Sequence, residues 1–341
     1  MADSTVDSNT DPNRTAAGTL LYASSETRLR ATWRALIPLV VAVSVYFVSH
    51  LLLESAMGAV AGTSTTGTAT VIATVTGLAT LTVLIALSAI TGIVVAARLD
   101  HRYVRSYGFA ISSRWVSDFG AGALIGALAS VGAVGYHVLR GYSTVSVELT
   151  GIGVGGTILA PAVLLVFVLF YLSNTAFEEV VFRAILIPTA AEGLHARTLE
   201  RTAAVLGAIA VSLPLFGAIH LLGGGFAAVI TSAVGGVLFA TAYVLTGQLG
   251  LPIGVHFGGV AILSVMQSPV SADPELTLPS IVVAEWTTTP SLAVSVELWI
   301  VRLVVGVALI CLWVRLRYGD VSIADQVVPD DETDSRRPID S

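Results

Sequence analysis

The sequence predicts an all-α fold, a polytopic transmembrane helix bundle of about eight spans. Of the 341 residues, 55% are hydrophobic and only 12% are charged, and the mean hydropathy is +0.84. Soluble domains carry about 25% charged residues, so this composition is typical of a membrane protein. The chain also contains many apolar runs close to the roughly 20 residues that a helix needs to cross a bilayer.

Each predicted span is an apolar run bounded by charged or turn-forming residues, and its limits are good to about four residues. The spans, in chain order, are Ala35–Leu53, Ala69–Ala97, Phe119–Leu139, Leu159–Ile187, Ala203–Leu222, Ala227–Leu245, Leu251–Met266 and Leu292–Trp313. In the third span, Gly122 and Gly126 lie one turn apart. This spacing of small residues allows two membrane helices to pack closely.

Arginines predict the orientation of the bundle, because cytoplasmic loops carry an excess of basic residues. Arginines precede the first span and follow the second, fourth and eighth spans, whereas the opposite loops hold Arg140 as their only basic residue. Both termini of this multi-pass protein are therefore expected to face the cytoplasm, with the bundle in the cell membrane.

The chain divides into five predicted segments. Residues 1–30 and 319–341 are polar tails, the second one acidic, and both are expected to be disordered. Residues 31–150 hold the first three transmembrane helices, and residues 271–318 hold a loop and the last helix. Residues 151–270 form a core that carries the candidate catalytic residues.

Ionisable residues at membrane depth single out this core. Glu178, Glu179 and Arg183 lie in the fourth span, and His220 and His256 lie in the fifth and seventh spans. An ionisable side chain in lipid is costly, so such residues indicate function by default. Residues four apart share a helical face, so Glu179 is expected to pair with Arg183. Glu178, rotated by about 100°, then faces another group.

A purely structural alternative stays open at this point, in which the charged groups form a buried network that only fixes helix packing. Two intramembrane histidines near an unpaired glutamate favour a shared site instead. The other four histidines fall at span ends or in loops and are expected to be ordinary, solvated side chains: His50, His101, His137 and His195.

Three motifs in this core carry a resemblance to a known family. They are Glu178-Glu-Val-Val-Phe-Arg183, Phe216-Gly-Ala-Ile-His220 and the segment from Gly236-Val-Leu-Phe to Pro252-Ile-Gly-Val-His256. Their order and spacing resemble the CPBP family, the CAAX-protease and bacteriocin-processing intramembrane proteases. The resemblance implies an intramembrane endopeptidase, and it covers roughly the residues from Leu159 to Met266.

The resemblance also implies roles for individual residues. By similarity, Glu178 and His220 activate a water molecule, with Glu179, Arg183 and Phe216 in support. His256 and an asparagine four residues later would stabilise the oxyanion.

One residue departs from the family's pattern, because Val260 stands where the asparagine is expected. Losing an oxyanion donor commonly costs about 10²- to 10³-fold in rate. Asn174, four residues before Glu178, is the first candidate to replace it, and Ser264 is the weaker one.

Several alternatives are left open by the sequence. Zinc bound by Glu178, His220 and His256 would match the three protein ligands usual at catalytic zinc sites. A catalytically silent scaffold or a bacteriocin-immunity-type protein would explain Val260. A proton-coupled transporter would use the same side chains as a relay. The expected partners are the lipid bilayer and a membrane-associated peptide or protein substrate, with a prenylated one as an option, and no nucleic acid is expected.

Overall fold

The structure, a computed structural model, describes residues 21–22, 28–61, 68–146, 159–197, 199–266 and 283–328. Helices dominate these residues, as the all-α prediction requires. The elements are α1 Ala31–Ala61, α2 Thr68–Asp100, a 3-10 helix Val104–Tyr107, α3 Ser113–Leu139, β1 Ser143–Ser146, α4 Leu159–Glu179, a π-helical segment Val180–Ile185, α5 Leu186–His195, α6 Arg201–Ala218, α7 Leu221–Thr246, α8 Gly250–Met266, β2 Val283–Trp286 and α9 Leu292–Tyr318.

Seven helical stretches within the described ranges are long and apolar enough to cross a membrane. They correspond to α1, α2, α3, the continuous run of α4 and α5, α6, α7 and α9, which confirms a polytopic helix bundle. The predicted seventh span is α8, which has only 17 residues. At 1.5 Å per residue it extends about 25 Å, less than the hydrocarbon thickness of about 30 Å. Leu251 and Val255 of this short helix are fully buried, so protein instead of lipid surrounds that part of it.

Glycines bring α8 into backbone contact with α3. A Cβ atom built on Gly122 or Gly126 of α3 would overlap backbone atoms of α8, and one on Gly254 or Gly258 of α8 would overlap backbone atoms of α3. The close packing predicted for Gly122 and Gly126 is therefore present, and both helices contribute to it. Because His256 lies between the two α8 glycines, this contact fixes the height of that side chain.

A π-helical segment separates α4 from α5. Its backbone bonds span five residues, as between the amide of Leu186 and the carbonyl of Val181, in place of the four-residue bonds of an α-helix. All six of its residues, Val180–Ile185, are buried. Such π-bulges occur often at functional sites, and here the segment begins directly after Glu179.

A partly buried cluster of charged residues joins α1, α2 and α5. Arg34 lies 2.7 Å from both Asp100 and Glu192, and Arg102 lies 3.1 Å from Glu192. The hydroxyl of Tyr107 donates a hydrogen bond of 2.6 Å to Asp100. Burial and the charge of Asp100 raise the pKa of Tyr107 well above its usual range, so this bond persists at neutral pH.

The acidic segment after α9 is packed for part of its length, so the expectation of disorder from residue 319 onward is wrong as far as Val328. The amide of Ala324 donates to the carbonyl of Val244 at 2.9 Å, and Arg201 pairs with Asp325 at 2.8 Å. Val327 and Val328 are buried in the core around the α7–α8 connection. Two adjacent apolar residues anchor this segment despite its acidic composition. Residues 329–341 lie outside the described residues.

Three further features differ from what the sequence predicted. The loop before α9 contains β2, which pairs with β1 in antiparallel register, with Ser143 opposite Trp286. His137 lies beneath these strands, 1% exposed and 5.1 Å from the Trp286 ring, so it is not the solvated histidine expected at a span end.

In the N-terminal tail, the described residues include Arg28, whose guanidinium lies 3.5 Å from Glu192. The end of that tail is therefore bound to the bundle.

Candidate active site

The structure brings the three predicted polar residues of the core together. Glu178 lies near the end of α4, His220 in the turn between α6 and α7, and His256 in α8. Nε2 of His220 is 3.9 Å from Oε1 of Glu178, and Nε2 of His256 is 3.7 Å from Oε2. Glu178 and His256 are buried, whereas the side chain of His220 is 29% exposed. The cluster is therefore open on the side of His220.

Each histidine is oriented by an acceptor at its other ring nitrogen. Nδ1 of His220 lies 2.9 Å from the carbonyl oxygen of Phe216, and Nδ1 of His256 lies 2.8 Å from a carboxylate oxygen of Glu179. Both partners can only accept, so in each neutral ring the proton is assigned to Nδ1. The Nε2 lone pairs of both rings consequently face Glu178, a geometry suited to accepting hydrogen bonds from a water molecule held among the three side chains.

Glu179 has two partners, of which the sequence predicted one. Its carboxylate is fully buried and lies 3.2 Å from Nε of Arg183, so the ion pair predicted from the four-residue spacing is present. The same carboxylate accepts the hydrogen bond from His256, 77 residues away. Arg183 also donates to the carbonyl of Gly236 at 3.3 Å. The ion pair thus orients a histidine as well as joining helices.

Two phenylalanines enclose this ionic centre in apolar surroundings. The Arg183 guanidinium carbon lies 4.1 Å above the Phe216 ring, an arrangement that a cation and an aromatic face favour. The Phe239 ring stacks on His256 with centroids 4.0 Å apart. Phe216 therefore supports the site through Arg183 and through its carbonyl bond to His220.

Asn174 is held between Glu178 and Tyr46 by two hydrogen bonds. Its amide donates a hydrogen bond of 2.8 Å to Oε1 of Glu178, as expected for two residues on one helical face. Its carbonyl accepts a bond of 3.0 Å from the hydroxyl of Tyr46 on α1. Asn174 therefore positions Glu178 through one N–H, and because an amide carries two N–H donors, its role as a replacement for the asparagine stays a prediction. No motif or residue spacing in the sequence identified Tyr46 as a partner of Asn174.

The position one turn after His256 holds only an aliphatic side chain, Val260, and the side chain of Ser264 is not among those described. A different donor lies beside this turn. The guanidinium of Arg302 on α9 contacts Gly259, and the sequence prediction missed it although an arginine within an apolar span is a signal of function.

The three candidate zinc ligands are Glu178, His220 and His256. A metal-bound histidine donates its outer N–H to a carboxylate or carbonyl, as both histidines do here. Across the described ranges, however, no group of three or more His, Cys, Asp or Glu residues has an arrangement that could hold a metal ion. The residues therefore fit a water molecule better than a metal in this conformation.

Comparison with known proteins agrees with this geometry at the level of the family. Residues 158–262 match the family model described as type II CAAX prenyl endopeptidase Rce1-like. No curated protein and no solved structure matches the chain. The matched segment runs from the start of α4 into α8 and contains Glu178, His220 and His256. Residues 158–262 of this multi-pass membrane protein are therefore similar to the Rce1-like type II CAAX prenyl endopeptidase domain, which is consistent with the CPBP resemblance.

Proposed function

We propose that the protein is an intramembrane endopeptidase that hydrolyses a peptide bond of a membrane-associated substrate with a water activated by Glu178. The observation that carries this proposal is the convergence of Glu178, His220 and His256, with both imidazole Nε2 atoms directed at the carboxylate. We place the protein in the cell membrane with both termini in the cytoplasm. The family match supports including a prenylated peptide among the substrates to be tested.

In the proposed reaction, Glu178 takes a proton from the water while the remaining hydroxide attacks the carbonyl carbon of the peptide. The C–N bond then breaks as the proton passes from Glu178 to the leaving amine, which gives one carboxylate product and one amine product. Glu178 acts as a general base and then as a general acid, each a contribution of about 10²- to 10⁴-fold.

The surrounding residues set the position of each participant. Asn174 holds Oε1 of Glu178, and the Phe216 carbonyl and Glu179 hold the two imidazole rings. His220 and His256 present Nε2 acceptors that orient the water. Preorganised partners of this kind lower the barrier because they need no rearrangement during the reaction.

The proposal is tested by measuring how fast the purified protein, in lipid vesicles, cleaves two fluorogenic peptides, one farnesylated and one not. Glu178→Gln should remain folded and lose about 10²- to 10⁴-fold in rate, because its amide cannot take the proton. Glu54→Gln, a change at an exposed glutamate of α1, is the matched control and should cleave at the wild-type rate. Equal rates for Glu178→Gln and wild type would sink the assignment.

The second candidate function is a catalytically silent scaffold, and Val260 is the observation that favours it. A scaffold predicts that the wild-type protein cleaves neither peptide. Zinc chemistry is distinguished in the same assay, because a bound metal would make the cleavage sensitive to a chelator whereas a water held by protein groups alone would not.

A further inference from the structure

Arg302 is a buried arginine in the middle of a transmembrane helix. It lies on α9, which is apolar and long enough to span the bilayer, and the residue is only 2% exposed. Its side chain points into the bundle instead of extending along the helix towards the membrane surface. A charge in this location is expensive, about 2.5–3.5 kcal/mol by insertion scales, so its presence calls for a compensating partner or a function.

The described residues offer Arg302 no carboxylate partner. Its Nε is fully buried and has no hydrogen-bond acceptor among them. The guanidinium carbon lies 4.4 Å above the ring of Trp299, one turn earlier on α9. Such a contact contributes about 0.5–2 kcal/mol, less than the cost of burying an unpaired charge. The stability of the fold therefore does not explain this arginine.

The guanidinium lies against the same face of α8 as His256. A Cβ atom on Gly259 would overlap Nη2 of Arg302, so only glycine admits the guanidinium at this position. Gly259 follows His256 by three residues and shares its helical face. The charge of Arg302 also lies within electrostatic range of the His256 ring. A cation that has no carboxylate partner among the described residues is thus placed beside the histidine of the site, next to the turn where Val260 has an aliphatic side chain.

We propose that Arg302 is a further catalytic residue, which binds a negatively charged oxygen of the substrate beside His256. This inference rests on the proposed function. An arginine suits the role because it is always charged and presents several N–H donors in a fixed plane. The anion has two sources in a peptide: the oxyanion that forms on the attacked carbonyl, or the α-carboxylate at a free C-terminus. The guanidinium keeps its protons throughout, so the role is electrostatic.

Kinetics of Arg302→Met and Arg302→Lys on peptides with a free or an amidated C-terminus test the role. If Arg302 binds the oxyanion, Arg302→Met should lower kcat about 10²- to 10³-fold on both peptides with little change in KM. If it binds the α-carboxylate, KM should rise for the free acid alone. Arg302→Lys should retain part of the wild-type rate, because it keeps a positive charge.

Gly259→Ala provides an independent perturbation, since its methyl group displaces the guanidinium while Arg302 stays in the sequence. It should reproduce the loss seen for Arg302→Met. Gly132→Ala on α3 is the matched control, because nothing lies within 4 Å of a Cβ at that position, and it should cleave at the wild-type rate.

Thermal unfolding separates this role from a structural one. Removing an unpaired buried charge should leave the unfolding temperature of Arg302→Met unchanged or raise it, whereas a structural residue would lower it. Kinetic constants of Arg302→Met within twofold of wild type would overturn the proposal, as would a loss of activity that follows a loss of stability.

Binding of an uncleavable peptidyl phosphonate amide gives a readout that does not depend on turnover. Its tetrahedral anionic oxygens mimic the oxyanion, so Arg302→Met should bind it at least about tenfold more weakly if that is the anion. A wild type that binds the phosphonate through Arg302 but cleaves nothing would contradict the proposed function alone. A wild type that cleaves while Arg302→Met behaves identically would contradict this inference alone.

Discussion

Removing the charge of Glu179 should destabilise the protein through Arg183. In Glu179→Gln, the guanidinium of Arg183, 1% exposed, loses the carboxylate that lies 3.2 Å from its Nε and stays buried. Breaking a buried ion pair by removing one partner costs about 3–5 kcal/mol. We expect Glu179→Gln to lose that much stability, enough to lower its yield in membranes.

A second substitution should restore most of this stability. Replacing both partners of a buried ion pair by residues without charge is often neutral, so Glu179→Gln/Arg183→Met should recover most of the lost 3–5 kcal/mol or so. Activity should behave differently. A neutral amide holds Nδ1 of His256 less firmly than a carboxylate does, so both variants should be slower by about 10- to 100-fold.

Unfolding by denaturant in detergent micelles, followed by circular dichroism, measures the first effect, and peptide cleavage at saturating substrate measures the second. Glu54→Gln serves as the control for changing an exposed glutamate. A double variant that is as unstable as Glu179→Gln would refute this prediction, because the unpaired charge of Arg183 would then not be the cause of the lost stability. Full activity of the double variant would show that His256 does not depend on Glu179.

Three further predictions address the scaffold and its orientation. Gly126→Ala should destabilise the bundle by about 1–3 kcal/mol or more because its methyl group overlaps the α8 backbone, and Gly132→Ala should not; equal unfolding curves would contradict this. Val327→Asp should lower the unfolding temperature, since it buries a charge without a partner, and an unchanged temperature would mean that the segment is not packed in solution. In a cysteine-free background, a cysteine at Ser106 should be protected from an impermeant thiol reagent in intact cells and one at Thr288 should react; the reverse pattern would invert the topology.

The parts of the structure that the sequence predicted depend on local spacing. Spans are recognised because a helix rises by a fixed 1.5 Å per residue and the bilayer sets the required length. The pair of Glu179 and Arg183 follows from the four-residue spacing on one helical face. Both features need only residues close together in the chain.

The parts that the sequence did not predict depend on contacts between distant segments. The bond from His256 to Glu179 joins residues 77 apart, and the bond from Tyr46 to Asn174 joins residues 128 apart. No periodicity encodes which of two adjacent glutamates a histidine on another helix will meet. For the same reason, the spacing placed Asn174 on the face of Glu178 but did not identify Tyr46 as its second partner.

The packed segment after α9 has a consequence for the order in which the protein is assembled. Its residues are synthesised after the nine described α-helices, yet Ala324 bonds to α7 and Val327 and Val328 fill the core at the connection that leads into α8. The helix that carries His256 is therefore inserted into the membrane before the residues that secure the start of this helix have been synthesised. A nascent chain halted after α9 would contain every residue of the candidate site while lacking this anchor. We therefore expect the protein to mature only once this segment has left the ribosome and folded back onto the bundle.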